Sequence, residues 1–151
     1  MVIELNFKEL FDRMRAVSHR EVAEIPDAEA RYRAEAGTEK TDDLERCLVD
    51  ASARLASRLM RFLLQRDIDY VDNEHTRPNS FTYELSLSER RSINKAEPLK
   101  EACNTFLLEY ALSEFYSIVS QGELSNKHSL KALEAGDHIN ELLFFKLPPQ
   151  V

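Results

Sequence analysis

Residues Glu97–Gln121, EPLKEACNTFLLEYALSEFYSIVSQ, are the stretch on which the fold turns. Pro98 sits where a first-turn proline belongs, because an N1 residue has no intrahelical N–H bond to lose. Gly122 follows as the expected stop. At about 100° per residue, Leu99, Cys103, Phe106, Leu107 and Tyr110 share one side, and Leu108, Leu112, Phe115 and Val119 share the opposite side. A helix apolar on two faces is a central helix, packed by neighbours all round. Glu109 and Glu114 interrupt it too often for a membrane span.

Working outward, the preceding segment has a different period. Phe81, Tyr83, Leu85 and Leu87 alternate with Thr82, Glu84 and Ser86, which predicts a strand, with Ile68–Val71 as a partner across the loop DNEHTRPNS. A two-stranded ribbon is marginal alone, so it must lie on the bundle or pair with another chain. Upstream, Thr41, Asp42 and Asp43 start a helix expected to reach about Gln65, with Leu44, Leu48, Ala51, Leu55, Leu59 and Phe62 as its apolar seam. Asn6 with Glu9 resembles a capping box ahead of a first helix that carries Phe7, Leu10, Phe11, Met14 and Val17 and runs to about Glu24. DAEARYRAEAG reads as a short polar helix stopped by Gly37, covering the bundle loosely or facing a partner. Downstream, Ser125 is the expected cap of a last helix to about Lys146, with His128, Ala132, Ala135, Ile139, Leu142 and Leu143 on one face and Leu130, Leu133 and Phe144 elsewhere, covered on two sides. LPPQV cannot be helix and favours an extended tail. The expected fold is therefore mainly α: a bundle of four principal helices plus one short helix, with a small β ribbon at about 67–88 before the central helix. It forms one domain, 1–146, followed by the tail 147–151.

Hydrophobic residues make up 43% and charged residues 31%, a globular balance. The net charge of -7 disfavours a nucleic-acid coat while leaving room for a local basic patch. Cys47 and Cys103 lack a C-x-x-C spacing and read as reduced core thiols. No basic segment followed by an apolar run opens the chain, so a cleaved secretory signal is not expected.

The chemical candidates are sparse. Glu109 and Glu114 are five residues apart, about 140° around a helix, so they share no face and form no acid dyad. Each is expected at an edge or paired with an arginine. The four histidines, His19, His75, His128 and His138, include no Glu-x-x-His pair and read as surface or capping residues, with no metal. Asp72-x-x-His75 has no second ligand pair. Cys103 falls on the core face, and there is no G-x-S-x-G, phosphate-binding loop or dinucleotide fingerprint. No catalytic residue and no cofactor is expected. The clearest surface signal is Arg54, Arg58 and Arg61 at i, i+4 and i+7, flanking an apolar seam. They read either as arginines trimming the core edge and pairing with acids of adjacent helices, or as a contact to an acidic partner or to nucleic acid, extended by Arg77, Arg90 and Arg91. Phe81 and Tyr83 of the ribbon and Leu147, Pro148 and Pro149 of the tail are the other interface candidates.

The layout of helices, FTYELSLSERR, a long aromatic-rich helix, then LSNKHSLKALEAGDHINELLFFKLPP resembles small virion proteins of tailed bacteriophages, the head–tail adaptor or neck type above all. The resemblance is one of layout over most of the chain and assigns no residue. It implies a small bundle with a β excursion and terminal arms, assembled in the bacterial cytoplasm as a ring of like subunits between neighbouring virion proteins. The expected function is a non-enzymatic assembly subunit. Two other classes stay open: a cytoplasmic helical adaptor or regulator that binds a protein partner, and a small enzyme whose site is built from scattered side chains. A pocket holding Glu109 or Glu114 beside a histidine would favour the enzyme.

Overall fold

The computed structural model describes residues 1–39, 41–71, 77–87 and 96–144. Their order is β1 (Val2–Asn6), α1 (Phe7–Ala23), α2 (Ala28–Glu39), α3 (Thr41–Leu59), β2 (Leu63–Tyr70), β3 (Pro78–Leu85), α4 (Ala96–Ile118) and α5 (Gly122–Phe144). The described residues are mainly helical with one small antiparallel sheet, as the periodicities predict. None of the described helices is long and apolar enough to cross a membrane. Leu147, Pro148 and Pro149, like Asp72, His75, Arg90 and Arg91, lie outside the described residues.

The central helix is α4. It packs against α5, α3, α1 and β1, and its two apolar faces put both Phe106 and Phe115 in the core at 3% and 0% exposure. Burial on both sides is the direct consequence of a pattern with no polar stripe. Its end is not where glycine predicts. Ser120 takes the left-handed conformation at φ 60. The N–H of Gln121 then reaches the Tyr116 carbonyl at 2.8 Å, and that of Ser120 reaches Ser117 at 3.3 Å, a Schellman cap closed by serine. Gly122 instead opens α5, three residues ahead of the expected Ser125 cap.

The β region departs most from expectation. Three strands form, in the order β1-β3-β2. β1 pairs Ile3 with Tyr83 and Leu5 with Phe81, while β2 pairs Arg66 with Tyr83 and Ile68 with Phe81. β1 carries its own alternation, Ile3 and Leu5 buried against Val2 and Glu4 exposed, but four residues beside a strong helical pattern are easily read as its approach. α3 stops at Leu59, short of Gln65, because residues 63–70 gain ladder partners along β3. Strand context here outweighs helical periodicity.

The sheet lies on its own bundle. Phe81 and Tyr83 are both 0% exposed. Phe81 meets the edge of Phe7 at 5.9 Å, and the Tyr83 hydroxyl donates to the Ser52 carbonyl at 2.7 Å. These two residues are core, not interface: the third strand supplied by β1 makes them so. Arg66 reaches the Ser52 hydroxyl at 2.8 Å from the same inner face.

Gly37 is a further correction. It lies inside α2 rather than after it. A Cβ there would stand 2.7 Å from Val119 Cγ1 and 3.3 Å from the Phe115 ring. The glycine is needed for close approach of α2 to α4, so α2 is packed and not loose, although Tyr32 on its far side is exposed. On α5, His128, Ala132, Ala135, Ile139 and Leu143 form the buried face, but Leu130 and Leu133 are exposed, so this helix is covered on one side only. Cys47 and Cys103 are free and buried. Burial pushes both thiols up to about 12, which removes them as nucleophiles.

Candidate functional site

The apolar stripe of α1 runs Phe7, Leu10, Phe11, Met14 and then Ser18, Glu21 and Val22, so helical phase alone carries a carboxylate inward. On α4, Glu109 and Tyr116 are seven residues apart, two turns along one side. On α5, His128 opens the small-residue face and Lys127 sits beside it. The three helices bring these side chains to one point, at the inner wall of a cleft of about 610 Å³.

His128 is 2% exposed. Its Nε2 lies 2.7 Å from Glu21 Oε1, and its Nδ1 is hydrogen-bonded to Glu109 Oε2. The Tyr116 hydroxyl donates to Glu21 Oε1 at 3.1 Å, and Lys127 Nζ donates to Glu21 Oε2 at 2.8 Å. The Tyr116 and His128 rings stack at 5.5 Å between centroids. Each ring nitrogen therefore faces a carboxylate oxygen. A neutral imidazole donates from one nitrogen only. Which nitrogen donates depends on the tautomer, and the buried ring is held between the two carboxylates from both sides.

The electrostatics follow from the same partners. Burial pushes the Glu21 carboxyl up, but the hydrogen bonds and charges of Lys127 and His128 outweigh it and hold the group below the ordinary carboxylate range. Burial, and then the Glu21 charge, push the Tyr116 phenol up, so it stays a donor. Among the described residues no group of three or more His, Cys, Asp or Glu is arranged to hold a metal ion; here both imidazole nitrogens are already directed at carboxylates. Among the described residues the cleft's lining contains no serine, threonine or cysteine.

This cluster answers two expectations differently from the sequence. His128 is neither surface nor capping, and Glu109 pairs with a histidine rather than an arginine. The available signals were Glu21 at i+7 from Met14 and a histidine on an apolar face, but their meeting is long-range and no local spacing encodes it.

The arginine stripe lies elsewhere. Arg58 is half-buried, its guanidinium 6.0 Å from the Phe106 ring centroid. A Cβ on Gly136 would come within 3.0 Å of Arg58 Cζ, so glycine makes room for it. Arg61 lies beyond the end of α3, with its guanidinium 5.5 Å from the Phe144 ring centroid. Arg54 is exposed at the mouth of a groove of about 750 Å³ lined also by Ser57, Arg58, Leu130 and Leu133. Glu114 shares this groove; burial, then the Asp50 charge, raise its carboxyl against the opposing pull of Arg54 and Arg46. Among the described residues none of Arg54, Arg58 and Arg61 has a carboxylate within ion-pair distance. Arg58 trims the core edge against the buried Phe106 ring rather than an acid, while the exposed Arg61 lies over the exposed Phe144 ring.

Comparison of the chain with protein-family models, with curated proteins and with solved structures found no match.

Proposed function

We propose that this chain is a non-enzymatic structural assembly subunit, of the head–tail adaptor or neck type in a phage or phage-tail-like particle. The observation that carries the assembly reading is the unfinished end of the sheet. Among the described residues β2 is an edge strand, and Met60, Leu64 and Phe144, at 71%, 64% and 44% exposure, surround its start. Phe144 joins this end through Phe62, at 5.3 Å between ring centroids. An open strand edge beside apolar side chains favours a neighbour. The place in a virion rests on the resemblance of layout. Light scattering on the purified chain tests the assembly reading: it predicts an oligomer, and a folded Leu64→Lys variant of lower mass. A Leu64→Lys variant that assembles as the wild type does would remove this end as the contact.

The Glu21–His128–Glu109 cluster favours a second reading, a small enzyme, because a buried histidine held between carboxylates at a cleft, one of them, Glu21, shifted, is a functional-site signature. Against it, both imidazole nitrogens are committed and the lining offers no hydroxyl or thiol nucleophile. Saturable binding of a small molecule that His128→Gln abolishes would favour this reading.

A further inference from the structure

Two surfaces of the chain carry charges that its own fold leaves unpaired. The first is the solvent face of the sheet. The register that turns Ile3, Leu5, Phe81 and Tyr83 inward turns Glu4, Glu84, Asp67 and Asp69 outward: Val2 stands opposite Glu84, and Glu4 and Asp67 flank Thr82. All four acids are exposed. Asp69 takes the Asn79 amide at 3.0 Å, while Glu4, Glu84 and Asp67 have no ion-pair partner among the described residues. No lysine or arginine occurs at an outward position of this face. The second surface is the groove with Arg54 and Arg58, which Glu114 also lines, its carboxyl raised by burial, with Leu130 and Leu133 flanking it at 63% and 50% exposure.

We propose that the acidic sheet face of one copy docks on the Arg54–Arg58 groove of the next, so that copies join head to tail. The inference rests on the assembly reading and names its contact. With a net charge of -7, copies repel on average, and attraction between them needs a local match of opposite charge. A two-fold contact of the sheet with itself sets acids against acids. A symmetric β2–β2 pairing also brings the Asp67 and Asp69 of two copies together on one face, so the open edge favours a neighbour that presents a different surface. The acids instead find guanidiniums held open in the groove, and the exposed Val2 of the sheet faces the leucine flank. A contact between two different surfaces propagates to a ring or a filament.

The test uses the full chain and two variants, Arg54→Glu for the groove and Asp67→Lys/Glu84→Lys for the sheet, chosen at exposed positions so that the fold survives. Circular dichroism checks that it does. The wild type is expected to assemble at low salt and to lose mass as salt rises, since the screening length falls from about 10 Å at 0.1 M to about 3 Å at 1 M. Each variant alone should be monomeric at a concentration where the wild type is assembled. Mixed in equal amounts they should assemble again, because the unaltered sheet face of one variant meets the unaltered groove of the other and the two charge-reversed surfaces are also opposite in sign. Folded variants that assemble as the wild type does would overturn this contact and leave the assembly reading standing. A wild type that is monomeric at low salt and high concentration would overturn both.

Discussion

The cleft and the groove treat charge in opposite ways. In the cleft, Glu21, Glu109 and His128 are drawn inward and each has a partner inside the chain, and the exposed Lys127 reaches in to Glu21. In the groove, neither Arg54 nor Arg58 has a carboxylate within ion-pair distance among the described residues, Arg54 acts on Glu114 only from further off, and an aromatic face and a glycine hold Arg58 in place. The difference teaches what each region is for. A buried charge without a partner is too costly to keep, so the first cluster is completed by folding and binds α1 to α4 and α5. An unpaired guanidinium at the surface costs little, and remains available to something outside the chain.

The largest expected effect lies in the cleft. Glu21→Ala removes the acceptor shared by Tyr116, Lys127 and His128, leaving a buried ring and phenol without it. It should cost about 3–5 kcal/mol, as breaking a buried pair does, read by urea denaturation. The double variant Glu21→Ala/His128→Gln should cost less than the two changes summed, because the residues act as one network. Strict additivity would dissolve the cluster into independent contacts.

Acid should act on the same region. The Glu21 carboxyl is held below its ordinary range in the fold. A depressed carboxylate contributes stability that is fully present above its unfolded value of about 4.3 and is lost as pH falls through the folded value. The melting temperature of the wild type should therefore drop below about pH 4.3, and Glu21→Gln should flatten that drop. An unchanged acid limb in the variant would place the proton uptake elsewhere.

How much of this was legible beforehand varies by residue. Asn6 accepting from the Glu9 N–H at 3.0 Å and the double-faced α4 are local facts, set by spacings of three, four and seven along one helix, whereas the aromatic partner of Arg58, Phe106, comes from another helix. Gly37 and Gly122 looked alike as stops, yet one admits a neighbouring helix and the other opens one. Only tertiary packing separates those roles. Phe81 and Tyr83 looked like free edge aromatics because the strand that covers them, β1, lies some eighty residues earlier. Glu21 and His128 are separated by 107 positions, so their hydrogen bond exists only once three helices are placed.

A smaller effect is expected beside the cleft, at the turn that joins α4 to α5. Ser120 holds φ 60 with a Cβ, and Gln121 next to it lines the cleft. Ser120→Gly relieves the left-handed strain but adds freedom to the unfolded chain, so the net gain should be about 0.5–1 kcal/mol. Its effect should appear in thermal stability with the cleft's acid limb unmoved. A shift of that limb would mean the turn positions the cluster.

The smallest effect on folding should come from the groove, and its smallness is the point. Arg54 is exposed and has no ion-pair partner among the described residues. Replacing it removes a charge that makes no ion pair among the described residues, and surface changes of this kind stay within about 0.5 kcal/mol. Glu114 adds a check on that expectation, because Arg54 is one of the charges that pull its raised carboxyl down. Arg54→Ala should raise Glu114 further, so less of it is ionised near its midpoint. Carboxyl chemical shifts followed by NMR would read that change while the denaturation midpoint stays put. A loss of several kcal/mol would mean that Arg54 belongs to the folded core's own electrostatics, and the contrast between a closed cleft and an open groove would fail. A silent monomer with a weakened assembly would place the charge where the contrast puts it, outside the chain's own fold.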